Sequence, residues 1–120
     1  MGNVIVEKSF EFAVKIVRLT REMKDNHEYV LSDQLLKSGT SIGANVSESQ
    51  YGQRDRDFAS KMHIALKEAS EAQYWLKLLA ETEMVKREKL NPLLNDVEEI
   101  KRILTAILKT SYQNQEQRKN

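Results

Sequence analysis

Residues 37–49 read Lys-Ser-Gly-Thr-Ser-Ile-Gly-Ala-Asn-Val-Ser-Glu-Ser, and this stretch decides the fold that we predict for the chain. Gly39, Gly43 and Ser47 recur at every fourth position, which on a helix places them in one row with almost no side chain. Apolar residues such as Ile42 run beside that row, so a neighbouring helix can approach closely and still find apolar contact. We therefore predict a helix whose glycine ridge, Gly39, Gly43 and Ser47, packs tightly against a second helix.

The chain around this ridge contains few residues that break helices. Among 120 residues there are one Pro and four Gly, and no window alternates apolar and polar residues as a strand does. The periodicity predicts four helices, at about residues 3–24, 29–50, 55–81 and 92–112. Short connections between amphipathic helices favour an antiparallel up-down-up-down four-helix bundle, so we predict an all-α fold. We assign residues 1–112 to the bundle domain and expect the polar residues 113–120 to be frayed.

Turn and capping residues set the predicted helix ends. Asp25-Asn26-His27 and Tyr51-Gly52 are expected to end the first two helices, since Gly52 suits a left-handed cap. Asp55 is a suitable N-cap for the third helix. Pro92 follows a turn near Lys89 and fits the first turn of the fourth helix.

The first helix carries two adjacent apolar stripes, so we expect it to contact two neighbours. These stripes comprise Val6, Phe10, Ala13, Val17 and Thr20, and Phe12, Ile16, Leu19 and Met23. The third and fourth helices each carry a seam of apolar residues spaced by three and four, as in helix bundles. The seams comprise Phe58, Met62, Ala65, Ala69, Ala72, Leu76 and Leu79, and Leu90, Leu93, Val97, Ile100, Leu104 and Ile107.

The third helix also carries apolar side chains opposite its seam. Ile64, Trp75 and Leu78 share that side, and three such residues including a Trp predict a second buried contact. In a domain of this size, we predict that Ile64, Trp75 and Leu78 contact another subunit.

Composition narrows the classes of function. The net charge is +1, from 19 basic and 18 acidic residues, whereas a nucleic-acid binder usually has a marked basic excess. The absence of Cys excludes disulfides and thiolate metal sites, and it fits a reducing compartment. No signal peptide and no apolar run of bilayer length is present. We expect a soluble, cytoplasmic protein without membrane contact.

Two motifs are reminiscent of catalytic or metal sites. Residues 39–43 match the G-x-S-x-G elbow of serine hydrolases, but that elbow needs a preceding strand and a large sheet. His27 and His63 could bind metal, but a di-iron bundle needs Glu three residues earlier, where this chain has Lys24 and Ser60. We expect no catalytic residue, no metal and no cofactor.

The densest polar cluster is expected beside the ridge, and comprises Asn45, Glu48, Lys67, Glu68 and Glu71. Carboxylates on adjacent helices can transfer protons, which would suit an enzyme. The reading that we favour is a hydrogen-bond network, within the bundle or between subunits, that sets helix register.

Two groups of cations could hold phosphate, namely Arg18, Arg21 and Lys24 late in the first helix, and Arg54 and Arg56 at the start of the third. Asp55 and Asp57 offset the second group. The aromatic residues do not alternate with basic ones as in a groove that stacks bases. The signal for nucleic-acid contact is therefore weak.

Residues 32–48, Ser-Asp-Gln-Leu-Leu-Lys-Ser-Gly-Thr-Ser-Ile-Gly-Ala-Asn-Val-Ser-Glu, resemble the second-helix signature of a family of small bacterial four-helix-bundle proteins. The family was first noticed as reading frames within intervening sequences of 23S ribosomal RNA genes. The third helix agrees, with Asp57-Phe58, Ile64 to Ala69, Glu71 and Tyr74-Trp75-Leu76. The similarity covers nearly the whole chain.

The resemblance implies an all-α bundle that assembles as a ring, commonly a homopentamer. Related proteins assist the reverse transcriptases of diversity-generating retroelements, where a basic surface engages nucleic acid. This chain departs from them in its nearly neutral charge, and in Ser49, where many members carry Gly. We expect a non-catalytic, homo-oligomeric scaffold or accessory protein. The alternative is an RNA- or DNA-binding accessory factor that uses a basic rim of the ring.

Overall fold

The computed structural model describes residues 3–51 and 55–119, and it confirms the predicted all-α fold. Four helices follow one another along the chain, and no strand occurs within the described ranges. They are α1 (Asn3–Asp25), α2 (Val30–Ser49), α3 (Asp55–Glu81) and α4 (Arg87–Lys119). Gly52 and Arg54 lie outside the described residues, so the predicted glycine cap of α2 does too.

The helices form an antiparallel bundle with a square cross-section. Lys8 pairs with Glu99 and Lys15 with Asp96, so residue numbers rise along α1 as they fall along α4. Within the described ranges α1 contacts α2 and α4, and α3 contacts α2 and α4. Each helix therefore lies beside its two neighbours, and α2 is diagonally opposite α4.

The core lies between these four helices and includes most of the two predicted seams. Met62, Ala65, Ala69, Ala72, Leu76 and Leu79 of α3 are buried, as are Leu90, Leu93, Val97, Ile100 and Leu104 of α4. Phe58 and Ile107 are half-buried at the far end of the bundle and pack against this core. The spacing of three and four residues therefore selects the correct inward face of both helices.

Two turns end their helices in the same way without glycine. After α1, the backbone N–H of His27 donates to Lys24 O and that of Glu28 donates to Met23 O. After α3, Glu83 donates to Ala80 O and Met84 to Leu79 O. Both are Schellman motifs, and His27 and Glu83 occupy their left-handed positions with φ of 64° and 60°.

The fourth helix differs from its predicted bounds at both ends. It begins at Arg87, and the preceding turn covers residues 82–86, so Pro92 lies in the second turn rather than the first. Pro92 removes one helical hydrogen bond in that turn. The start of α4 follows instead from the Schellman turn that ends α3. The helix also continues past Tyr112 to Lys119, so the expected end at residue 112 is wrong.

The first helix buries only part of its predicted apolar surface. Phe12, Ile16, Leu19 and Met23 are buried. In the other stripe, however, Phe10 is 68% exposed and Val17 is 36% exposed. The prediction that α1 contacts two neighbours is confirmed by α2 and α4, but these two helices leave Phe10 and Val17 uncovered within the chain.

Candidate interaction surface

The glycine ridge lies where α1 and α2 approach each other. A Cβ built on Gly39 would lie 2.8 Å from Ile16 Cγ2 and 2.9 Å from Ile16 Cγ1. Carbon atoms normally meet at about 3.5–4.0 Å, so glycine is the residue that permits this approach. Ile16 is completely buried and, being β-branched, has little rotamer freedom in a helix.

The ridge turns away from α1 along its length. A Cβ on Gly43 would lie 3.2 Å from the backbone oxygen of Ser9, whereas Ser47 is exposed. Four residues advance the helix by slightly more than one turn, so each step of the ridge rotates further outward. Ser47 therefore does not take part in the close contact that the spacing predicts for it.

Ion pairs show which sides of α1 face its two neighbours. Lys8, Lys15 and Glu22 are seven residues apart, and each pairs with α4. Phe10, Val17 and Lys24 form a second row with the same spacing. Because Lys24 Nζ lies 3.0 Å from Asp33 Oδ1 of α2, this second row follows the α2 side of the helix.

The sequence analysis did not predict that Phe10 and Val17 of this second row are exposed. We call Phe10, Ala13, Val17 and Arg21 the α1 outer face; Ala13 is half-buried and Arg21 is exposed. The width of the apolar surface of α1 could have predicted this exposure, because one neighbouring helix on each side cannot cover so wide a surface. The α1 outer face therefore leaves the apolar side chains of Phe10 and Val17 exposed to solvent.

The predicted interface residues of α3 lie on the other side of α2. Lys61, Glu68 and Trp75 are seven residues apart, and Lys61 Nζ lies 3.1 Å from Glu48 Oε1 of α2. Ile64, Glu71 and Leu78 form the next row outward, and we call Ile64, Glu71, Trp75 and Leu78 the α3 outer face. Two partly apolar faces therefore flank α2.

The α3 outer face is partly ordered by its own contacts. The Trp75 indole packs against the core, and its Nε1 donates to Glu71 Oε2 at 3.3 Å. The Tyr74 ring meets the indole edge-on, with 5.1 Å between centroids. Ile64 is 37% exposed and Leu78 is half-buried, so apolar surface remains on both sides of the indole.

Within one chain, the hydrogen bonds and ion pairs of the described residues do not link the five members of the predicted polar network to one another. The Asn45 side-chain amide donates to Ser41 O within α2, and Glu48 pairs with Lys61. Lys67 and Glu71 are exposed, whereas Glu68 is half-buried. Asn45 and Glu48 therefore make separate local contacts, and a network that forms between subunits stays a prediction.

Glu68 is the member whose ionisation is perturbed. Partial burial raises the pKa of its carboxyl, and repulsion from Glu71 raises that pKa further. Lys37 and Lys67 oppose the shift. The groove between α2 and α3 therefore holds two carboxylates close enough to repel each other, beside exposed apolar surface.

The predicted cationic residues lie at opposite ends of the bundle. Arg18, Arg21 and Lys24 are near the end of α1, whereas Arg56 is at the start of α3, beyond the length of α2, about 30 Å. Lys24 is paired with Asp33. Within the described ranges, Arg18 and Arg21 have no carboxylate partner within 4.0 Å. A single chain therefore does not collect these cations into one patch.

We also searched the described residues for a ligand cavity and for a cluster of metal-binding side chains. A groove of about 320 Å³ lies between the end of α1 and the turn before α4, lined in part by Leu19, Met23, Met84 and Val85. In the part of the chain that the structure describes, no three His, Asp or Glu side chains are placed to hold a metal ion. No described helix is both long and apolar enough to cross a membrane.

The fold and its two outer faces define a small four-helix-bundle protein with exposed apolar side chains on either side of α2. Its sequence matches the profile of the 23S rRNA-intervening sequence proteins over residues 2–106. The chain belongs to this family, which confirms the resemblance seen in the second and third helices.

A solved structure supports this assignment. It is a protein of unknown function from the S23 ribosomal protein family of Bacteroides thetaiotaomicron, with 48% identity and a TM-score of 0.87. The match covers 90% of this chain and 97% of the other. Comparison with curated proteins gives no match.

Proposed function

We propose that this protein acts without catalysis, as a homo-oligomeric scaffold or accessory protein. The observation that carries the proposal is the pair of outer faces beside α2, with Phe10 68% exposed on one and Ile64 37% exposed on the other. Burying a large apolar side chain stabilises a contact by about 1.5–3 kcal/mol. Self-association supplies that burial without any second protein, and five copies is the number that the family resemblance implies.

The state of assembly tests this proposal directly. Size exclusion with light scattering should give several times the 13.9 kDa chain mass, in protein whose ultraviolet spectrum shows it to be free of nucleic acid. Trp75→Ala should lower that mass while the circular dichroism stays helical. A control, Arg102→Ala on the exposed part of α4, should keep the wild-type mass. A wild-type chain that is monomeric at micromolar concentration would contradict the proposal.

The second candidate function is nucleic-acid binding by an assembled ring. It is favoured by Arg18 and Arg21, which are exposed and lack a carboxylate partner within the described ranges, because rotation about a ring axis would repeat them as a rim. Such binding must weaken steeply with salt, since each phosphate contact releases counterions. Fluorescence anisotropy with an RNA hairpin and a DNA duplex, titrated with salt, measures it. Tight binding at about 0.15 M salt that is lost in Arg18→Glu with Arg21→Glu would favour this function over the scaffold.

A further inference from the structure

The groove between the end of α1 and the turn before α4, which we call the end groove, has the size of a small-molecule site. Its volume is about 320 Å³, and ligand pockets in proteins span about 300–1,000 Å³. Its lining combines apolar and charged side chains, chiefly Leu19, Met23, Met84, Val85, Glu28 and Lys86. We propose that the end groove binds a free α-amino acid with an apolar side chain. This inference goes beyond the proposed scaffold function and does not depend on self-association.

The turn after α1 carries a charged residue where the fold favours an apolar one. In a Schellman motif, the last residue frequently makes an apolar contact with the residue whose carbonyl accepts its backbone N–H. After α3 these two residues are Met84 and Leu79, an apolar pair. After α1 they are Glu28 and Met23. Glu28 therefore places a half-buried carboxylate beside the apolar lining of the end groove, at a position where an apolar side chain would serve the fold better.

Two of the four charged side chains in the end groove neutralise each other, and two do not. Glu22 pairs with Lys89 at the side of the groove. Within the described residues, Glu28 and Lys86 make no ion pair and no side-chain hydrogen bond, with each other or with any other residue. The groove therefore presents one free anion and one free cation to a ligand.

A zwitterion satisfies both free charges at once. The ammonium of an α-amino acid would donate to Glu28, and its carboxylate would accept from Lys86. A ligand with only a carboxylate would leave Glu28 unpaired beside a second anion, and one with only an ammonium would leave Lys86 unpaired. Because charge-assisted hydrogen bonds are roughly twice as strong as neutral ones, these two contacts determine both the class of ligand and its orientation.

The apolar lining of the end groove selects the side chain of the ligand. Leu19 and Met23 are 7% and 3% exposed, so they form the floor. Met84 is 42% exposed, and its flexible thioether side chain can adapt to ligands of different shape. Leucine, methionine and phenylalanine would bury apolar surface against this floor, whereas glycine would bury none.

Nuclear magnetic resonance of isotopically labelled methionine methyl groups tests the proposal on the full chain. Met23 and Met84 line the end groove, whereas Met62 contacts Ser49 at the other end of α2 and serves as the internal control. L-leucine at millimolar concentration should shift the Met23 and Met84 resonances saturably and leave Met62 unchanged. Unchanged Met23 and Met84 resonances would overturn the proposal, and so would an equal shift of all three.

Three analogues separate the parts of the ligand. Leucinamide lacks the carboxylate, isocaproate lacks the ammonium, and glycine lacks the side chain. Each should bind at least about tenfold more weakly than leucine, since each loses one of the three contacts. Leucinamide that binds as tightly as leucine would indicate a peptide N-terminus as the ligand, and equal binding of isocaproate would indicate a simple organic anion. Either result would overturn the proposal, and so would equal binding of glycine.

Charge variants test the two polar contacts. Glu28→Gln and Lys86→Gln should each weaken leucine binding by about tenfold, because each removes the charge from one contact. Glu83→Gln is the matched control, since it removes a carboxylate from the turn after α3 that does not line the end groove. It should bind leucine as the wild type does. Wild-type binding by Glu28→Gln or Lys86→Gln would overturn the proposal.

Glu28→Leu distinguishes a binding role of Glu28 from a structural one. The variant supplies the apolar contact with Met23 that a Schellman motif favours, so the urea midpoint should rise while leucine binding is lost. Loss of binding in a more stable protein excludes unfolding as its cause. A lower urea midpoint would show that Glu28 serves the fold, and it would overturn the assignment. None of these measurements depends on the state of assembly, so their failure would leave the proposed scaffold function standing.

Discussion

Replacing Gly39 with Ala should destabilise the protein, although Ala is the better helix former. The new Cβ would lie 2.8 Å from Ile16 Cγ2 and 2.9 Å from Ile16 Cγ1, so the contact must open by more than half an ångström. Ile16 is completely buried and cannot rotate freely in a helix. The strain must therefore separate the backbones of α1 and α2.

The expected magnitude follows from two opposing contributions. Overpacking of a close-packed seam costs about 1–3 kcal/mol, and the change from Gly to Ala in a helix returns about 1 kcal/mol. A net loss of about 1 kcal/mol should lower Tm by roughly 4 °C in a chain of this length. Circular dichroism melts and urea titrations at one fixed chain concentration measure it, because association makes Tm depend on concentration.

Two control variants on the same ridge isolate the cause. Gly43→Ala should be close to neutral, since the nearest atom to its Cβ would be Ser9 O, at 3.2 Å, and a shift of a few tenths of an ångström relieves that contact. Ser47→Ala should be neutral or slightly stabilising, because Ser47 is exposed. The predicted order of stability is therefore Ser47→Ala, then Gly43→Ala, then Gly39→Ala.

A double-mutant cycle identifies Ile16 as the obstacle. Ile16→Ala alone should cost about 2–5 kcal/mol by leaving a cavity. Combined with Gly39→Ala, the loss should be about 1 kcal/mol smaller than the sum of the two single losses, since the atoms that clash are gone. Gly39→Ala that is as stable as wild type, or losses that simply add, would refute the close contact between α1 and α2.

Three further predictions follow from single positions. Glu83→Gly should stabilise the folded chain by about 0.5–1 kcal/mol. Glu83 lies in the left-handed region with φ of 60°, which costs an L-residue about 1–2 kcal/mol. A lower urea midpoint for the variant would contradict this prediction. Glu68→Gln should be more stable than wild type at neutral pH, since burial raises the pKa of Glu68 and its ionised form therefore destabilises the folded chain. That advantage should shrink as pH falls through the raised pKa towards 4, so urea titrations at both pH values should show the larger gap at pH 7. Gly43→Leu should lower Tm, unlike Gly43→Ala, because a whole side chain must enter the seam; an unchanged Tm would place Gly43 in open solvent.

The sequence by itself determined the fold class and the inward faces of α3 and α4. Ala65, Ala69 and Ala72 recur at spacings of four and three, which only a helix turns into one continuous side. The two glycines in α2 also predicted a closely packed neighbouring helix. Glycine lowers the stability of a helix by about 1 kcal/mol relative to Ala, and close packing is what offsets that loss. Short connections then left few topologies other than an antiparallel bundle.

The tertiary structure alone decided which apolar residues of α1 stay outside. Phe10 and Phe12 are the same residue type within one wide apolar surface, yet Phe12 is 1% exposed and Phe10 is 68% exposed. Periodicity measures how wide an apolar surface is, but not where its neighbours sit. The close approach at Gly39 fixes the rotation of α1 by bringing Ile16 onto the seam, and that rotation turns Phe10 and Val17 outward beside α2.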